Sequence, residues 1–348
     1  MSEKGSELDH GGSSLKVVHF MRRPRSGIFS VERLHADIRA NLDDTIRVNI
    51  RRNKYFSNGI FKRLADAVTA IRYQGDINHI TGDTNYLTFF LRRKTTILTI
   101  LDFVGLESSR GAKFWLLWFF WYWLPEKRSS QIVVISEAMK KQVVRYLHCD
   151  PKKIRVIHCN VSDEFEAQTK CFDDHSPRIL HVGTSENKNL ERHIAALSQV
   201  PCTLVVIGEL SSAQLEALET SSLKYENLSN LSREDVVNEY RRSDLLLFSS
   251  LYEGFGLPIL EAQSVGRPVV TSNIWSMPEV AGRGAVYVDP YSVESIRSGV
   301  MKVITSPEYR KNLIRLGFEN SKRFTAKDIG AQYTKLYHEV NQNAFNTD

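Results

Sequence analysis

Cysteine is scarce: Cys149, Cys159, Cys171 and Cys202 are the four in 348 residues, with no C-x-x-C pair and no zinc-site spacing. That excludes a disulfide framework and a structural zinc centre, and reduced thiols are expected. Long apolar runs are missing too. The longest, residues 114–124 (FWLLWFFWYWL), falls well short of the roughly 20 residues a spanning helix needs, so no transmembrane helix is expected. Residues 1–14 (MSEKGSELDHGGSS) hold no apolar segment of a secretory signal, which points to a cytoplasmic chain opening on a disordered tail. No internal repeat or low-complexity tract is visible. With 42% hydrophobic and 25% charged residues the composition excludes disordered and collagenous classes. The length suits two domains better than one.

The net charge of +6 is unevenly placed. Residues 1–177 hold 28 Lys/Arg against 20 Asp/Glu, and residues 178–348 hold 18 against 20. The basic half suits an anionic surface or substrate, or is a solubilising surface. No recognition motif accompanies the charge, so nucleic acid is not an expected partner.

Short β-rich apolar runs alternate with helical patterns in both halves. Residues 16–21, 46–50, 77–80, 95–101, 131–135 and 154–158 read as buried strands, as do 178–182, 203–207, 244–248, 268–271 and 285–288. Between the first two, Ser30 can cap a helix carrying Val31, Leu34 and Ile38 at helical spacing. The α/β alternation, made twice, predicts two doubly wound, Rossmann-like sheets. The polar stretch 162–177, ending in a proline, sets the expected boundary: 15–177 for the first domain and 178–325 for the second. Residues 326–340 place Ile329, Tyr333, Leu336, Tyr337 and Val340 on one face. Residues 326–348 are therefore read as a terminal helix, packed on the second domain or crossing back to the first.

Residues 249–270 (SSLYEGFGLPILEAQSVGRPVV) carry most of the chemistry. A strand runs into a glycine loop and then a helix that Pro258 can open, where a missing N–H is harmless. Gly254 and Gly256 allow close backbone approach to a ligand, and the helix start offers free N–H groups to a phosphate. Glu253 before the helix and Glu261 about one turn inside it can both face the cleft. Two acceptors of hydroxyl hydrogen bonds beside a diphosphate site suit a nucleotide sugar.

Glu253 and Glu261 reproduce the E-x7-E motif of retaining glycosyltransferases of the GT-B fold, and this segment resembles glycosyltransferase family 4. Residues 178–340 match well. In the first half, DINHITGDTNY (76–86) and VVISE (133–137) resemble bacterial members that build surface polysaccharides and lipopolysaccharide. The resemblance implies that Glu261 holds the donor ribose, Glu253 the transferred sugar, and the backbone of Gly254, Phe255, Gly256 and Leu257 the sugar and diphosphate. It implies that Lys188, in the loop opened by Gly183 and Thr184, contacts phosphate; a lysine there is otherwise a surface residue. Thr184 stands where the family has arginine. Gly27, after Ser26, matches the glycine loop of the first domain, or is an ordinary turn. Leu101 replaces a family histidine before Asp102, which remains a candidate for the acceptor hydroxyl. His79 can line the same cleft or be satisfied structurally.

The family is thought to transfer by front-face attack, the leaving phosphate taking the acceptor's proton. No D-x-D pair is present, so no metal and no cofactor is expected beyond the donor itself. In the band 114–124, Trp115, Trp118 and Trp121 with Lys127 and Arg128 just after read either as a core helix or as a peripheral membrane element. The second reading gives a lipid-linked saccharide acceptor, an anionic membrane partner and a place on the cytoplasmic face of the inner membrane. A nucleotide-sugar epimerase or phosphorylase of related architecture, or a silent nucleotide-sugar-binding protein, are the alternatives.

Overall fold

The structure, a computed structural model, describes residues 14–24 and 30–346. Six strands form the first sheet: β1 (Leu15–Met21), β2 (Ile46–Arg52), β3 (Ile77–Ile80), β4 (Thr96–Ile100), β5 (Gln131–Val134) and β6 (Ile154–Val156), in the order β2-β1-β3-β4-β5-β6. Six more form the second: β7 (Arg178–Val182), β8 (Thr203–Ile207), β9 (Lys224–Leu228), β10 (Leu245–Phe248), β11 (Val269–Ser272) and β12 (Ala285–Val288), in the order β12-β11-β10-β7-β8-β9. Every ladder is parallel. Parallel strands need crossovers, and the helices that supply them cover both faces, which is why most of these strands read as continuous apolar runs. The result is the GT-B plan of two Rossmann-like units.

All eleven expected strands are present, four with the expected ends and the others with ends moved by one or two residues. β9 is the addition. Its sequence, KYENL, is polar because it lies at the sheet edge, paired among the described residues only with β8 and largely open to solvent. The tail 1–13 and Gly27 with Ser26 lie outside the described residues, and so does the side chain of the proposed cap Ser30.

The terminal helix Ala326–Phe345 buries Ile329, Tyr333, Leu336, Tyr337 and Val340. These side chains join the core of the first sheet. Thr334 Oγ1 accepts from Asp43 N–H at 3.2 Å, and His338 Nε2 lies 3.0 Å from Thr45 Oγ1.

Candidate active site

In the second sheet β7 lies between β10 and β8, so the strand order reverses beside it and a crevice opens at the carboxyl ends of β7 and β10. Two loops leave from there, 183–189 after β7 and 249–256 after β10. The second leads into helix Leu257–Ser264, which has Pro258 in its first turn and, among the described residues, no side chain capping its start. The positive end of that helix is open to an anion.

Lys188 closes the short turn Glu186–Lys188 and donates from Nζ to Glu253 Oε1 at 2.6 Å. The two loops are laced together around this pair. Leu251 N–H donates to the Asn187 carbonyl at 2.8 Å, and Asn187 Nδ2 donates to the Tyr252 carbonyl at 2.9 Å. Glu261 accepts from the Tyr240 hydroxyl at 2.6 Å and faces Arg233 Nη1 at 3.5 Å. Burial raises the Glu261 carboxyl above its usual range against the pull of Arg233 and Tyr240. Arg233 also donates to Glu164 Oε2 at 2.9 Å, and Glu164 pairs with Arg33 of the first unit. Arg233 and Tyr240 lie about two turns apart on helix Arg233–Arg242, begun by a capping box between Ser232 and Asp235. Nothing in their spacing from Glu261 marks them in the sequence.

The first unit meets these loops directly. Ser136 Oγ donates to the Gly254 carbonyl at 2.7 Å, and a Cβ on Gly254 would lie 2.4 Å from the Leu101 carbonyl oxygen. Phe103 N–H donates to the Tyr252 hydroxyl at 3.3 Å, which donates to Gln142 Oε1 at 3.0 Å. Glu279 caps helix Glu137–Leu147 across the cleft, accepting from Glu137 N–H at 2.9 Å, and lies 2.7 Å from His158 Nε2. Burial works against its charge, but the His158 and Glu137 hydrogen bonds hold the carboxyl below the usual range. Asp102 follows β4, exposed to the cleft, with Oδ1 accepting from Val104 N–H at 3.0 Å. The surrounding walls, then the charges of Asp83, Glu107 and Glu253, raise its carboxyl above the usual range.

Several expected site residues sit elsewhere. His79 does not line the cleft: it is fully buried, with Nδ1 2.8 Å from the Tyr337 hydroxyl and Nε2 2.8 Å from Thr99 Oγ1. Thr184 turns away from the Lys188–Glu253 pair and donates to the Glu209 carbonyl at 2.6 Å. Phe255, by contrast, stays in the glycine loop, its ring buried beside His158 and Phe324 and its backbone left for a ligand. The aromatic band divides. Trp118 is half-buried and donates from Nε1 to the Tyr146 carbonyl at 2.7 Å, and Trp121 packs on Tyr86 under the Arg63 guanidinium. Trp115, 64% exposed, points outward with Leu116, Phe119 and Phe120. Arg128 is not a free cation; it donates to the Phe89 carbonyl at 3.2 Å, while Lys127 pairs with Glu126 at 3.0 Å. Among the described residues no helix is long and apolar enough to cross a membrane.

Residues 162–319 match the family described as glycosyl transferases group 1. The chain is similar to the serotype-specific mannosyltransferase WbdA of Escherichia coli, 29% identical over 223 residues that cover 57% of this chain and 27% of WbdA. It is 26% identical over 209 residues to the O-antigen chain mannosyltransferase RfbU of Salmonella typhimurium, covering 57% of this chain and 58% of RfbU. It therefore spans less than two thirds of either relative. The Anabaena HepE structure in complex with UDP and glucose shares the fold at a TM-score of 0.73 and 16% identity, over 93% of this chain and all of that one. Residues 162–319 thus resemble glycosyl transferases group 1 and are carried on a two-unit GT-B framework.

Proposed function

We propose that this chain is a retaining glycosyltransferase that needs no metal and moves a sugar from a nucleoside-diphosphate sugar to a lipid-linked saccharide, in surface polysaccharide assembly. The reading rests on one arrangement: Glu253 and Glu261 frame an open helix start at the switch point of the second sheet, with Lys188 Nζ 2.6 Å from Glu253. A diphosphate fits between Lys188 and that helix end, the ribose at Glu261 and the transferred sugar at Glu253. The sugar–phosphate C–O bond breaks as the acceptor oxygen bonds the same carbon from the same face. The acceptor's proton passes to the departing phosphate, whose charge Lys188 and the helix end stabilise. Asp102, across the cleft, orients the acceptor hydroxyl. WbdA and RfbU are mannosyltransferases, and mannose is therefore the first sugar to test.

The test is thermal unfolding with millimolar UDP, GDP, ADP or TDP. One of them at about 100 times its Kd should add about 2.7 kcal/mol to wild type and nothing to Glu261→Ala. No response of wild type to any of the four sinks the reading.

The acceptor side extends to a membrane. Helix Ile60–Ala70 buries Asp66, Ala67 and Ala70 and turns Ile60, Phe61, Leu64 and Val68 to the outside, Phe61 being 84% exposed. Residues 46–73 carry seven Lys/Arg and a single acid, the buried Asp66. The Arg63–Trp121 contact joins this helix to the outward aromatic face of Trp115 and Phe120. Apolar side chains ringed by cations fit an anionic bilayer surface, each buried ring contributing about 2 kcal/mol. The double variant Phe61→Asp, Leu64→Asp is expected to lose at least tenfold in co-sedimentation with phosphatidylglycerol vesicles. Equal sedimentation of wild type and variant would remove the membrane from the proposal.

A further inference from the structure

We infer that His193 is a positioning residue of the donor site: a one-way hydrogen-bond relay, Ser249 to His193 to His181 to the Gly183 carbonyl, locks the two loops that carry Lys188 and Glu253. The inference rests on the glycosyl-transfer reading and adds residues that no motif marks.

The three side chains are fully buried. His181 lies on β7, His193 on helix Leu190–Leu197, and Ser249 directly follows β10, so the relay bridges the strands that flank the crevice. His181 Nε2 is 2.7 Å from the Gly183 carbonyl oxygen, His181 Nδ1 is 2.8 Å from His193 Nδ1, and His193 Nε2 is 2.6 Å from Ser249 Oγ. The rings meet edge to face at 4.8 Å.

The chemistry of the ends fixes every hydrogen. A carbonyl oxygen only accepts, so His181 carries its proton on Nε2. Burial keeps both imidazoles neutral by lowering their pKa values, that of His181 to about 4. His181 Nδ1 is then an acceptor, which puts the His193 proton on Nδ1 and leaves His193 Nε2 to accept from the Ser249 hydroxyl. The reverse direction would need a donor where the Gly183 carbonyl stands.

Each end of the relay is fastened to the lysine loop. Gly183 takes φ 91°, and a Cβ there would lie 3.0 Å from Lys188 Cε, so the stem of Lys188 rests on the glycine whose carbonyl the relay holds. At the other end the Ser249 carbonyl accepts from Asn189 Nδ2 at 3.0 Å, next to Lys188 in sequence. Two apolar residues would fill the space of the two histidines without the cost of burying polar groups. What the polar chain supplies is direction: it fixes the peptide at Gly183 relative to Ser249, and thereby where the ammonium of Lys188 stands relative to Glu253.

Ser249→Ala deletes one oxygen, and Ser250→Ala is the matched control, because Ser250 is equally buried and its Oγ has no partner among the described residues. In ¹⁵N spectra of ring nitrogens, wild type should show His181 as the Nε2–H tautomer and His193 as the Nδ1–H tautomer. Ser249→Ala should keep both tautomers, which the Gly183 carbonyl sets, but shift the His193 Nε2 resonance as that nitrogen loses its donor, bind the stabilising diphosphate about tenfold more weakly and lose about tenfold in kcat, with Tm only a few degrees below that of Ser250→Ala. The opposite tautomers overturn the relay, as does diphosphate affinity equal to wild type in Ser249→Ala. If wild type binds none of UDP, GDP, ADP and TDP, the glycosyl-transfer reading fails instead, while the tautomers still report on the relay.

Discussion

Alanine at Gly254 is expected to cut turnover on the order of 100-fold while leaving the Tm of the protein within a few degrees, because this glycine is where the two units touch beside the reacting groups. The added Cβ would stand 2.4 Å from the Leu101 carbonyl oxygen and 3.4 Å from Ile135 Cδ1, both on the first unit. A carbonyl is backbone and does not swing aside as a flexible side chain would. Gly254 does not hold a positive φ, so alanine suffers no local conformational penalty and the whole effect comes from the approach. Two responses are open to the protein. The units can part by about 1 Å, breaking the Ser136–Gly254 bond and carrying Asp102 away from Glu253, or the loop can retreat and drag Glu253 off Lys188. Either one misaligns donor and acceptor by a distance that transfer does not tolerate. If the units part, the diphosphate site of the second unit is untouched and its affinity should stay within about threefold of wild type; if the loop retreats, diphosphate affinity falls together with turnover. Steady-state kcat at saturating donor, measured with Tm and diphosphate affinity, decides the matter; turnover within threefold of wild type would show that the observed closure is not the reactive one.

Much of the site is legible because its chemistry is local. Glu253, Glu261 and Pro258 lie within nine residues, and the strand, glycine loop and helix that place them are written in consecutive apolar, glycine and proline signals. What escapes the sequence is contact at long range. Tyr240 and Arg233 stand 21 and 28 residues before the carboxylate they hold, and Glu279 reaches Glu137 across 142. Helix Ile60–Ala70 shows a different limit of sequence alone. Periodicity reveals that Ile60, Leu64 and Val68 share a face but says nothing of whether that face looks inward. Here the small Ala67 and Ala70 face the core and the large residues face out. The aromatic band poses the same question and answers it both ways, with Trp118 and Trp121 packed and Trp115 outside. β9 is invisible because an edge strand needs no apolar run.

Mild acid is expected to unfold this protein steeply, and the sign follows from its buried histidines. His19, His35 and His79 form a cluster in the first unit, with His19 Nε2 and His79 Nδ1 sharing the Tyr337 hydroxyl of the terminal helix at 2.9 and 2.8 Å. His35 Nε2 lies 3.1 Å from the Thr81 carbonyl, and the Nδ1 atoms of His19 and His35 have no partner among the described residues. His181 and His193 are the relay of the second unit. Burial lowers all five pKa values, those of His35 and His181 to about 4, and neighbouring histidines and Arg39 add repulsion in the cluster. Below pH 6.5 the unfolded chain takes up protons that the folded chain refuses, so stability is full above that pH and is lost as pH falls toward the folded values. Between pH 6.5 and 5 a histidine held near 4 contributes a loss of about 2 kcal/mol. His35 in the first unit and His181 in the second each contribute this much, and His19, His79 and His193 shift in the same direction, against a total stability of roughly 5 to 15 kcal/mol. The raised carboxyls of Asp66, Asp102 and Glu261 work in the opposite direction, but they are fewer. Urea unfolding at pH 7.5, 6 and 5 should therefore show the midpoint collapsing over the last unit, with the tryptophan signal of the first unit and binding of the stabilising diphosphate by the second lost together. A midpoint that stays constant down to pH 5 would mean that these imidazoles take up protons in the folded protein as readily as in the unfolded chain, which neither the Tyr337 cluster nor the direction of the relay permits.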